Sequence, residues 1–230
     1  MSLDMKQKIR ELIYKRYPIS FSKSGDDIQL HKLIKHSSPG AYVDIGCWHP
    51  IKASNTYFFY LRGWKGICID PNPELKSKFQ KYRKKDLFIN AAISNKDQYL
   101  KYYSLKKPYE SMNTVNSDFL KYHHLEGEIE STFEIPSLSL KNVLDQKLLK
   151  SDRLDFFDID VEGFDVEVLK SNDWIKYRPK VIMIESRLNI KEDIYSDIVT
   201  YLSNKGYRFI GKTIIQGDLG NLFLIDENRS

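Results

Sequence analysis

The chain has 230 residues, with 36 Lys and Arg against 31 Asp and Glu and a formal net charge of +5. Because 41% of the residues are hydrophobic, the chain can bury enough apolar surface to offset the entropy lost on folding, which excludes an intrinsically disordered protein. The longest apolar run, residues 57–61, is far shorter than the roughly 20 residues of a membrane-spanning helix, and charges close to the first residue exclude a signal peptide. We therefore expect one cytoplasmic domain over residues 1–230 that has no membrane partner.

The first half of the chain alternates amphipathic helices with short apolar strands. Two helices, over residues 6–16 and 26–36, are predicted within an N-terminal segment, 1–38. Strands are then predicted over 41–45, 66–70 and 87–93, with one helix over 55–62 and another that begins at Pro73. This alternation is typical of a mostly parallel sheet that is covered by helices on both faces.

The second half begins less regularly. An edge strand is predicted over 99–104, and residues 105–131 are polar, aromatic and aperiodic, so we expect a loop or lid there. Strands at 154–160 and 180–185 and helices at 164–170 and 190–204 follow. The last two strands, 207–212 and 220–226, leave no room for a helix between them, which predicts an antiparallel β-hairpin. The prediction is thus an α/β fold with seven main strands.

Basic residues are densest in the segment 76–85, which contains Lys76, Lys78, Lys81, Arg83, Lys84 and Lys85. Leu75, Phe79 and Tyr82 recur around them at the spacing of a buried helix stripe. We interpret the charges as a solvated helix face rather than as a nucleic-acid surface. The two cysteines, Cys47 and Cys68, lie in apolar strand-like settings and are predicted to be reduced core thiols.

Two strand ends carry residues suited to a nucleoside. Gly46 follows the first strand and lets the backbone turn tightly, but Trp48 and Ile51 stand where a nicotinamide-binding G-x-G-x-x-G would need glycines. Asp70 ends the second strand 24 residues later, the spacing of a β-α-β unit in which an acid accepts hydrogen bonds from ribose hydroxyls. The alternative is that Asp70 only starts a turn before Pro71.

Five acids lie within residues 155–165: Asp155, Asp158, Asp160, Glu162 and Asp165. Asp158 and Asp160 share one strand face, so at least one must be paired, hydrated or bound to a ligand. We assign Asp165 and the nearby Glu167 to the start of a helix. Asp160 and Glu162 fall at the sheet edge where open α/β sheets bind ligands, and we expect a functional role for them.

Together these motifs resemble the FkbM family of S-adenosylmethionine (SAM)-dependent methyltransferases over about residues 40–186. The residues that carry the resemblance are Val43-Asp44-Ile45-Gly46, Ile69-Asp70-Pro71-Asn72-Pro73, Asn90-Ala91-Ala92, Ile159-Asp160-Val161-Glu162-Gly163 and Val168-Leu169. The resemblance implies a Rossmann-like class I methyltransferase fold, with a mostly parallel seven-stranded sheet that ends in an antiparallel hairpin. It also implies an O-methyltransferase of the kind found in antibiotic tailoring and in bacterial surface-glycan pathways.

The resemblance further implies roles for single residues. It places Asp44 and Gly46 beside the methionine part of SAM, Asp70 on the ribose with Asn72 nearby, Asn90 and Ala91 near adenine, and Asp160 and Glu162 at the reacting end. Asp160 is therefore a candidate for both cofactor binding and catalysis. The sequence departs from the family pattern in two ways, because Trp48 and Pro50 replace further loop glycines and Asp70 stands where relatives often have Glu.

Methyl transfer to a sugar hydroxyl needs a base or a metal ion, because such a hydroxyl is a poor nucleophile at neutral pH. The catalytic candidates are Asp160, Glu162, Glu185 and His49, and His49 has loop capping as an equal alternative. Glu185 ends the strand expected beside the one that ends at Asp160. The three carboxylates could therefore hold Mg²⁺ or Mn²⁺, or bind substrate hydroxyls directly.

Aromatic residues are frequent between residues 99 and 133: Tyr99, Tyr102, Tyr103, Tyr109, Phe119, Tyr122 and Phe133. They suit stacking on a sugar ring or a base, or packing beneath a long loop. Ser111, Asn113 and Thr114 at the centre of this segment could hydrogen-bond the cofactor or the acceptor.

The leading hypothesis is an enzyme that methylates a small carbohydrate, nucleotide-linked or part of a surface glycan. A nucleic-acid methyltransferase is disfavoured, because Asp-Val-Glu-Gly stands where base N-methylation usually places Asn/Asp-Pro-Pro-aromatic and an acidic cleft repels phosphate. A non-catalytic nucleotide-binding interaction module remains the alternative from a different class.

Overall fold

The computed structural model describes residues 12–14, 16–35, 38–148 and 153–228. The main-sheet strands are β1 Ala41–Ile45, β2 Lys65–Ile69, β3 Leu87–Ile89, β7 Leu154–Ile159, β8 Val181–Ser186, β9 Tyr207–Gln216 and β10 Leu219–Asp226. A second sheet contains β4 Ala92–Ile93, β5 Gln98–Leu105 and β6 Ile129–Leu138. The helices are α1 Asp26–Ile34, α2 Tyr57–Leu61, α3 Leu75–Tyr82, α4 Ser117–Tyr122, α5 Leu140–Lys147, α6 Asp165–Lys170, α7 Ile190–Asp193 and α8 Asp197–Ser203. The helix predicted over 6–16 lies mostly outside the described residues.

The main sheet has the strand order β3-β2-β1-β7-β8-β10-β9. The first five of these strands are mutually parallel, and β10 pairs antiparallel with both β8 and β9. The mostly parallel seven-stranded sheet with a terminal hairpin is therefore confirmed. Because the strand order reverses at β1, the carboxyl ends of β1 and β7 open a crevice at the sheet edge, which is where such folds bind ligands.

Alternate residues of each strand face opposite sides of the main sheet, and each side packs on its own helices. Val43 of β1 and Phe157 of β7 belong to a cluster with α5, α6 and α8. Tyr42 and Phe156, their neighbours along the chain, belong to a second cluster with α1, α2 and α3. Both faces are thus buried, as the alternation of helices and strands predicts.

The second sheet corrects two predictions. The strand expected over 87–93 divides at Asn90, because residues 87–89 pair with β2 whereas 92–93 pair with β6. Residues 105–131, expected to be irregular, contain α4, two short 3-10 helices and the start of β6, which pairs antiparallel with β5. The sequence pattern fails here because β5 and β6 are held by pairing with each other, and burial does not alternate regularly along either strand.

Arg83 corrects the interpretation of the basic stretch. Its side chain is 1% exposed and donates hydrogen bonds to Asp86 Oδ2 at 2.6 Å, Tyr42 Oη at 2.6 Å and the Pro50 carbonyl at 3.0 Å. Tyr82, predicted on the buried stripe, is 42% exposed. The helix around residues 190–204 is also two helices rather than one, because Ser196 caps a new helix start by accepting from Val199 N at 3.2 Å.

Both cysteines are free and buried, as predicted. Among the described residues, no helix combines the length and the apolar character needed to span a bilayer.

Candidate functional site

Two open cavities lie at the carboxyl ends of β1, β2 and β7. The apolar cavity, of about 590 Å³, is walled by Ile45, Ile69, Ala91, Ile93, Tyr102 and Phe164. The acidic cavity, of about 630 Å³, is lined by Lys23, Asp26, Asp44, Asn55, Asp158 and Asn221. Gly46, Asp160 and Glu162 line both cavities. The two spaces therefore meet at the ends of β1 and β7.

Gly46 makes this meeting point possible. It has φ +86°, and a Cβ atom at this position would lie 1.7 Å from the Asp160 carbonyl oxygen. Its N–H donates to the Ile69 carbonyl at 2.9 Å, while Asp160 N–H donates to the Ile45 carbonyl at 2.9 Å. The backbone thus needs glycine here both for its left-handed conformation and for the close approach of two strand ends.

Asp70 lines the apolar cavity at the end of β2. Its Oδ2 accepts from Trp48 N at 3.0 Å and its Oδ1 from Asn72 N at 2.8 Å. Burial raises its pKa to about 7, although the two N–H donors oppose this shift. Trp48 reaches Asp70 with φ +26°, a left-handed value that is unusual for this residue type. The loop that lacks the family's further glycines is therefore tied directly to the predicted ribose acceptor.

Asn90 and Ala91 take different positions. Asn90 Nδ2 donates to the Asp70 carbonyl at 3.0 Å and to the Pro71 carbonyl at 2.8 Å, which fixes the backbone that carries Asp70. Ala91 lines the apolar cavity itself, as does Asn72.

Asp44 and Asp158 form an acid pair in the acidic cavity. They are direct neighbours in the parallel register of β1 and β7. Asp44 accepts a short hydrogen bond from Thr56 Oγ1, and Asp158 Oδ1 accepts from Asn55 Nδ2 at 3.3 Å. Burial raises the pKa of Asp44 to about 6 and that of Asp158 well above its ordinary value, and the charge of Asp44 adds to the Asp158 shift. This pair favours a cationic ligand.

The carboxyl ends of β7 and β8 bring Asp160, Glu162 and Glu185 together. Their nearest oxygens lie within 4.8 Å of one another. Burial, and then the neighbouring charges, raises the pKa of Glu162 to about 8 and that of Glu185 to about 10. Arg187 compensates these charges in part, because its Nη2 lies 2.7 Å from Glu162 Oε2 and 3.3 Å from Glu185 Oε2. Asp160 Oδ1 is buried and has no hydrogen-bond partner among the described residues.

Glu162 occupies a strained turn. It has φ +52° and is followed by Gly163 at φ +86°. A left-handed conformation costs a residue with a side chain about 1–2 kcal/mol. Thr114 Oγ1 donates to the Glu162 carbonyl at 2.9 Å, and Asn116 Nδ2 donates to the Gly163 carbonyl at 2.7 Å. Such strain is often found at functional sites, where the surrounding structure maintains it.

His49 caps its own loop. Its Nδ1 accepts from Ile51 N at 3.1 Å and from Lys52 N at 2.9 Å. Burial lowers its pKa, with the charges of Lys78 and Lys52 adding to the shift, so the ring is neutral near pH 7. A neutral imidazole that accepts at Nδ1 carries its proton on Nε2, and this tautomer has no free basic nitrogen. The geometry therefore favours the capping alternative for His49.

Of the aromatic residues between 99 and 133, Tyr102 lines the apolar cavity and is 2% exposed. Tyr99 and Tyr122 are exposed and Phe119 is packed in a separate cluster. Ser111, Asn113 and Thr114 do line the apolar cavity. Phe133 lines a third space, the outer groove of about 1490 Å³, together with Lys78, Lys107 and Glu130.

The sequence argument missed two cations of the site, Lys23 and Arg187. Arg187 follows the predicted strand end by two residues, so its position at the sheet edge could have been inferred. Lys23 gives no local signal, because it precedes α1 and reaches the acidic cavity only through tertiary packing.

Comparison with known proteins adds three findings. The chain matches no curated protein. Among solved structures it is similar to the crystal structure of precorrin-6y C5,15-methyltransferase from Geobacter metallireducens GS-15, with 12% sequence identity, 86% of each chain covered and a TM-score of 0.45. The family described as the Methyltransferase FkbM domain matches residues 40–209, which contain Gly46, Asp70 and the strained turn at Glu162. This match confirms the resemblance seen in the sequence: the chain belongs to the family of FkbM methyltransferases.

Proposed function

We propose that this methyltransferase uses SAM to methylate a hydroxyl group of a sugar, either nucleotide-linked or part of a surface glycan. The observation that carries the proposal is the junction of an apolar cavity with an acidic one at Asp160 and Glu162. The adenosine part of SAM suits the apolar cavity, and its positively charged methionine part suits the acidic cavity. The reacting carboxylates lie where the two meet.

The linings of the two cavities fit SAM in chemistry. Ile69, Ala91 and Tyr102 offer the adenine an apolar wall, while Asp70 lies at the strand end expected for the ribose. The Asp44–Asp158 pair offers negative charge to the positively charged ammonium and sulfonium groups.

When bound, SAM supplies a methyl group that moves from its sulfonium sulfur to the acceptor oxygen. The chain must hold the acceptor in line, exclude water and remove the hydroxyl proton. We assign the proton to Glu162, because its pKa of about 8 lies close to neutral pH, where a general base is most effective. Asp160 orients the hydroxyl with its unpartnered Oδ1. Glu185 lines neither cavity, and it supports the cluster through Arg187.

A divalent ion is a second way to activate the hydroxyl. The carboxylates of Asp160, Glu162 and Glu185 suit Mg²⁺ or Mn²⁺, whose ligand oxygens lie about 3–4 Å apart when metal–oxygen bonds are about 2.1 Å. Their present spacing within 4.8 Å needs only small side-chain movements. Arg187 would have to leave its bond with Glu162, since the ion and the guanidinium require the same oxygens.

The outer groove presents side chains that suit a polar acceptor. It shares Trp48 with both cavities, and it presents Lys78 and Lys107 beside Phe133. Lysine ammonium groups can pair with phosphates, and an aromatic ring can stack on a sugar or a base. The free cysteines suit the reducing cytoplasm, where we propose that the enzyme acts.

Cofactor binding is tested with Asp70→Ala. Loss of a hydrogen bond to a charged acceptor, worth about 1.5–3 kcal/mol, should weaken S-adenosylhomocysteine binding roughly 10- to 100-fold in calorimetry. Asp218→Ala, in the exposed β9–β10 turn, removes the same charge from a residue that lines neither cavity and serves as the control. An unchanged dissociation constant for folded Asp70→Ala would place the ribose elsewhere.

Catalysis is tested by a methyl-transfer screen over nucleotide-sugars and glycans, with and without a chelator. Asp160→Asn and Glu162→Gln should retain cofactor binding while turnover falls roughly 100-fold or more. Glu167→Gln, on the surface of α6, is the matched control. Retained turnover in both site variants would remove the catalytic role. Full activity in the chelator would remove the metal and leave Glu162 as the direct base.

A further inference from the structure

Among the described residues that line the acidic cavity, one is a lysine: Lys23, in the segment before α1. Lys23 forms no ion pair with any other residue that the structure describes, although its charge opposes the rise in the pKa of Asp160 that burial causes. A lysine that lines a cavity rich in carboxylates yet pairs with none of them leaves its charge available to a ligand. Lys23 also precedes residue 40, so the family match does not extend to it.

Two fully buried aspartates fix the backbone on both sides of Lys23. Asp27 accepts from Ser20 Oγ at 2.6 Å, and its Oδ2 accepts from Phe21 N at 2.6 Å. Asp26 accepts from Ser24 Oγ at 2.6 Å and makes a short hydrogen bond with Thr213 of β9. Hydrogen bonds to charged acceptors are stronger than those between neutral groups. The segment is therefore held firmly against the cavity, and the position of Lys23 is fixed with it.

The acidic cavity thus has charges of both signs. Asp44 and Asp158 lie side by side on adjacent strands, and Lys23 lines the same space from the segment before α1. A ligand that complements this arrangement carries a cationic group for the aspartate pair and an anionic group for the lysine. The amino-acid end of SAM, an ammonium and a carboxylate on one carbon, has this chemistry.

We propose that Lys23 binds the α-carboxylate of SAM and of its product, S-adenosylhomocysteine. The proposal rests on the proposed SAM-dependent function and assigns one residue to one end of the cofactor. Its consequence is selective: removal of the Lys23 charge affects ligands that carry the carboxylate and spares ligands that lack it. The nucleoside 5′-methylthioadenosine lacks the whole amino-acid end and is the natural probe for this difference.

The test compares Lys23→Met, Lys23→Arg and Lys32→Met by calorimetry with S-adenosylhomocysteine and with 5′-methylthioadenosine. In Lys23→Met the dissociation constant of S-adenosylhomocysteine should rise roughly 10- to 100-fold, whereas that of 5′-methylthioadenosine should stay within about two-fold. Lys23→Arg keeps the charge and should recover most of the affinity. Lys32→Met removes the same charge from an exposed position of α1 that lines neither cavity, and it should change neither constant.

Three results would overturn the proposal. Equal weakening of both ligands in Lys23→Met would mean that the variant disturbs the cavity as a whole. Unchanged affinity for S-adenosylhomocysteine would mean that the carboxylate lies elsewhere. Failure of the unmutated protein to bind S-adenosylhomocysteine at all would overturn the proposed function as well, and this outcome is visible before any variant is made.

Discussion

Asp165 is a buried carboxyl group in the first turn of α6. It is 8% exposed, and its Oδ1 has no hydrogen-bond partner among the described residues. Burial, and then the charge of Asp160, raises its pKa to about 7. The folded state therefore holds this proton between pH 4 and pH 7, where the unfolded chain has lost it. Stability consequently falls as the pH rises through this window, and the loss is complete above pH 7.

We predict that Asp165→Asn removes this pH dependence. The amide does not titrate, so its own effect on stability is the same at every pH. The informative quantity is therefore the change in the mutational effect between pH 5 and pH 8. The free energy of unfolding of the variant, minus that of the unmutated protein, should be larger at pH 8 than at pH 5 by about 2 kcal/mol. Urea denaturation at the two pH values measures this difference.

Glu167→Gln is the control for Asp165, because Glu167 lies on the same helix in a surface pair with Lys170. Its effect should stay within about 0.5 kcal/mol at both pH values. A pH-independent effect of Asp165→Asn would show that Asp165 is already ionised in the folded protein at pH 5.

At the scale of elements, Arg83 connects the end of α3 to β1 and to the loop before α2. Besides Asp86 and Tyr42, it donates to Thr56 Oγ1 at 3.1 Å, and Thr56 in turn donates to Asp44. Asp86 also accepts from Gly66 N at 2.8 Å at the start of β2. The buried guanidinium of Arg83 thus connects α3, β1 and the loop before α2. It also fixes Thr56, which donates a hydrogen bond to Asp44 in the acidic cavity.

We predict that Arg83→Met lowers the free energy of unfolding by about 3–5 kcal/mol, because it leaves Asp86 buried without its cation. The double variant Arg83→Met/Asp86→Asn should lose less than the sum of the two single variants. Lys84→Met, at the next and exposed position, is the control and should change stability by less than about 0.5 kcal/mol. Strict additivity in chemical denaturation would show that Arg83 and Asp86 act independently.

The segment 105–131 is anchored to the site by few bonds. Thr114 and Asn116 bond to the turn at Glu162 and Gly163, and Asn116 also caps α4 by accepting from Asp118 N at 3.0 Å. We predict that its amides exchange faster in the free protein than in the complex with cofactor and acceptor. Asn116→Ala should accelerate exchange further in the free protein. Equal exchange in the free and bound states would make the segment a fixed wall.

The elements that follow local rules could be predicted, and those that depend on distant partners could not. β1, β7 and β8 are near-continuous apolar runs, so their sites and the carboxylates at their ends follow from the sequence. The buried stripe of α3 was assigned to the wrong residue. Leu75, Phe79 and Arg83 recur at four-residue spacing and all three are buried, so Arg83 rather than Tyr82 continues the stripe. The edge strand predicted over 99–104 is β5, but its partner β6 was missed because a long connection separates the two strands. The positions of Lys23 and Arg187 likewise depend on tertiary contacts.

At the scale of the whole molecule, the two main hydrophobic clusters share the strands of a single sheet. One cluster cannot lose its packing while the other keeps its own, so we predict one cooperative transition for the chain. Calorimetric and van't Hoff enthalpies should agree, and S-adenosylhomocysteine should raise the midpoint temperature. Two separate transitions would instead show that the second sheet, with its own small clusters, unfolds independently.

The hydrogen bond between Asp26 and Thr213 joins positions 187 residues apart. A ribosome adds roughly 5–20 residues per second, so the segment before α1 waits on the order of ten seconds or more for its partner in β9. During that time β1, β2 and the residues of the apolar cavity are already synthesised, but the wall that carries Lys23 has no anchor on the hairpin. We therefore expect the walls of the proposed nucleoside site to be complete before the wall of the proposed amino-acid site is anchored. We expect tight binding of the cofactor only after the β9–β10 hairpin has been synthesised.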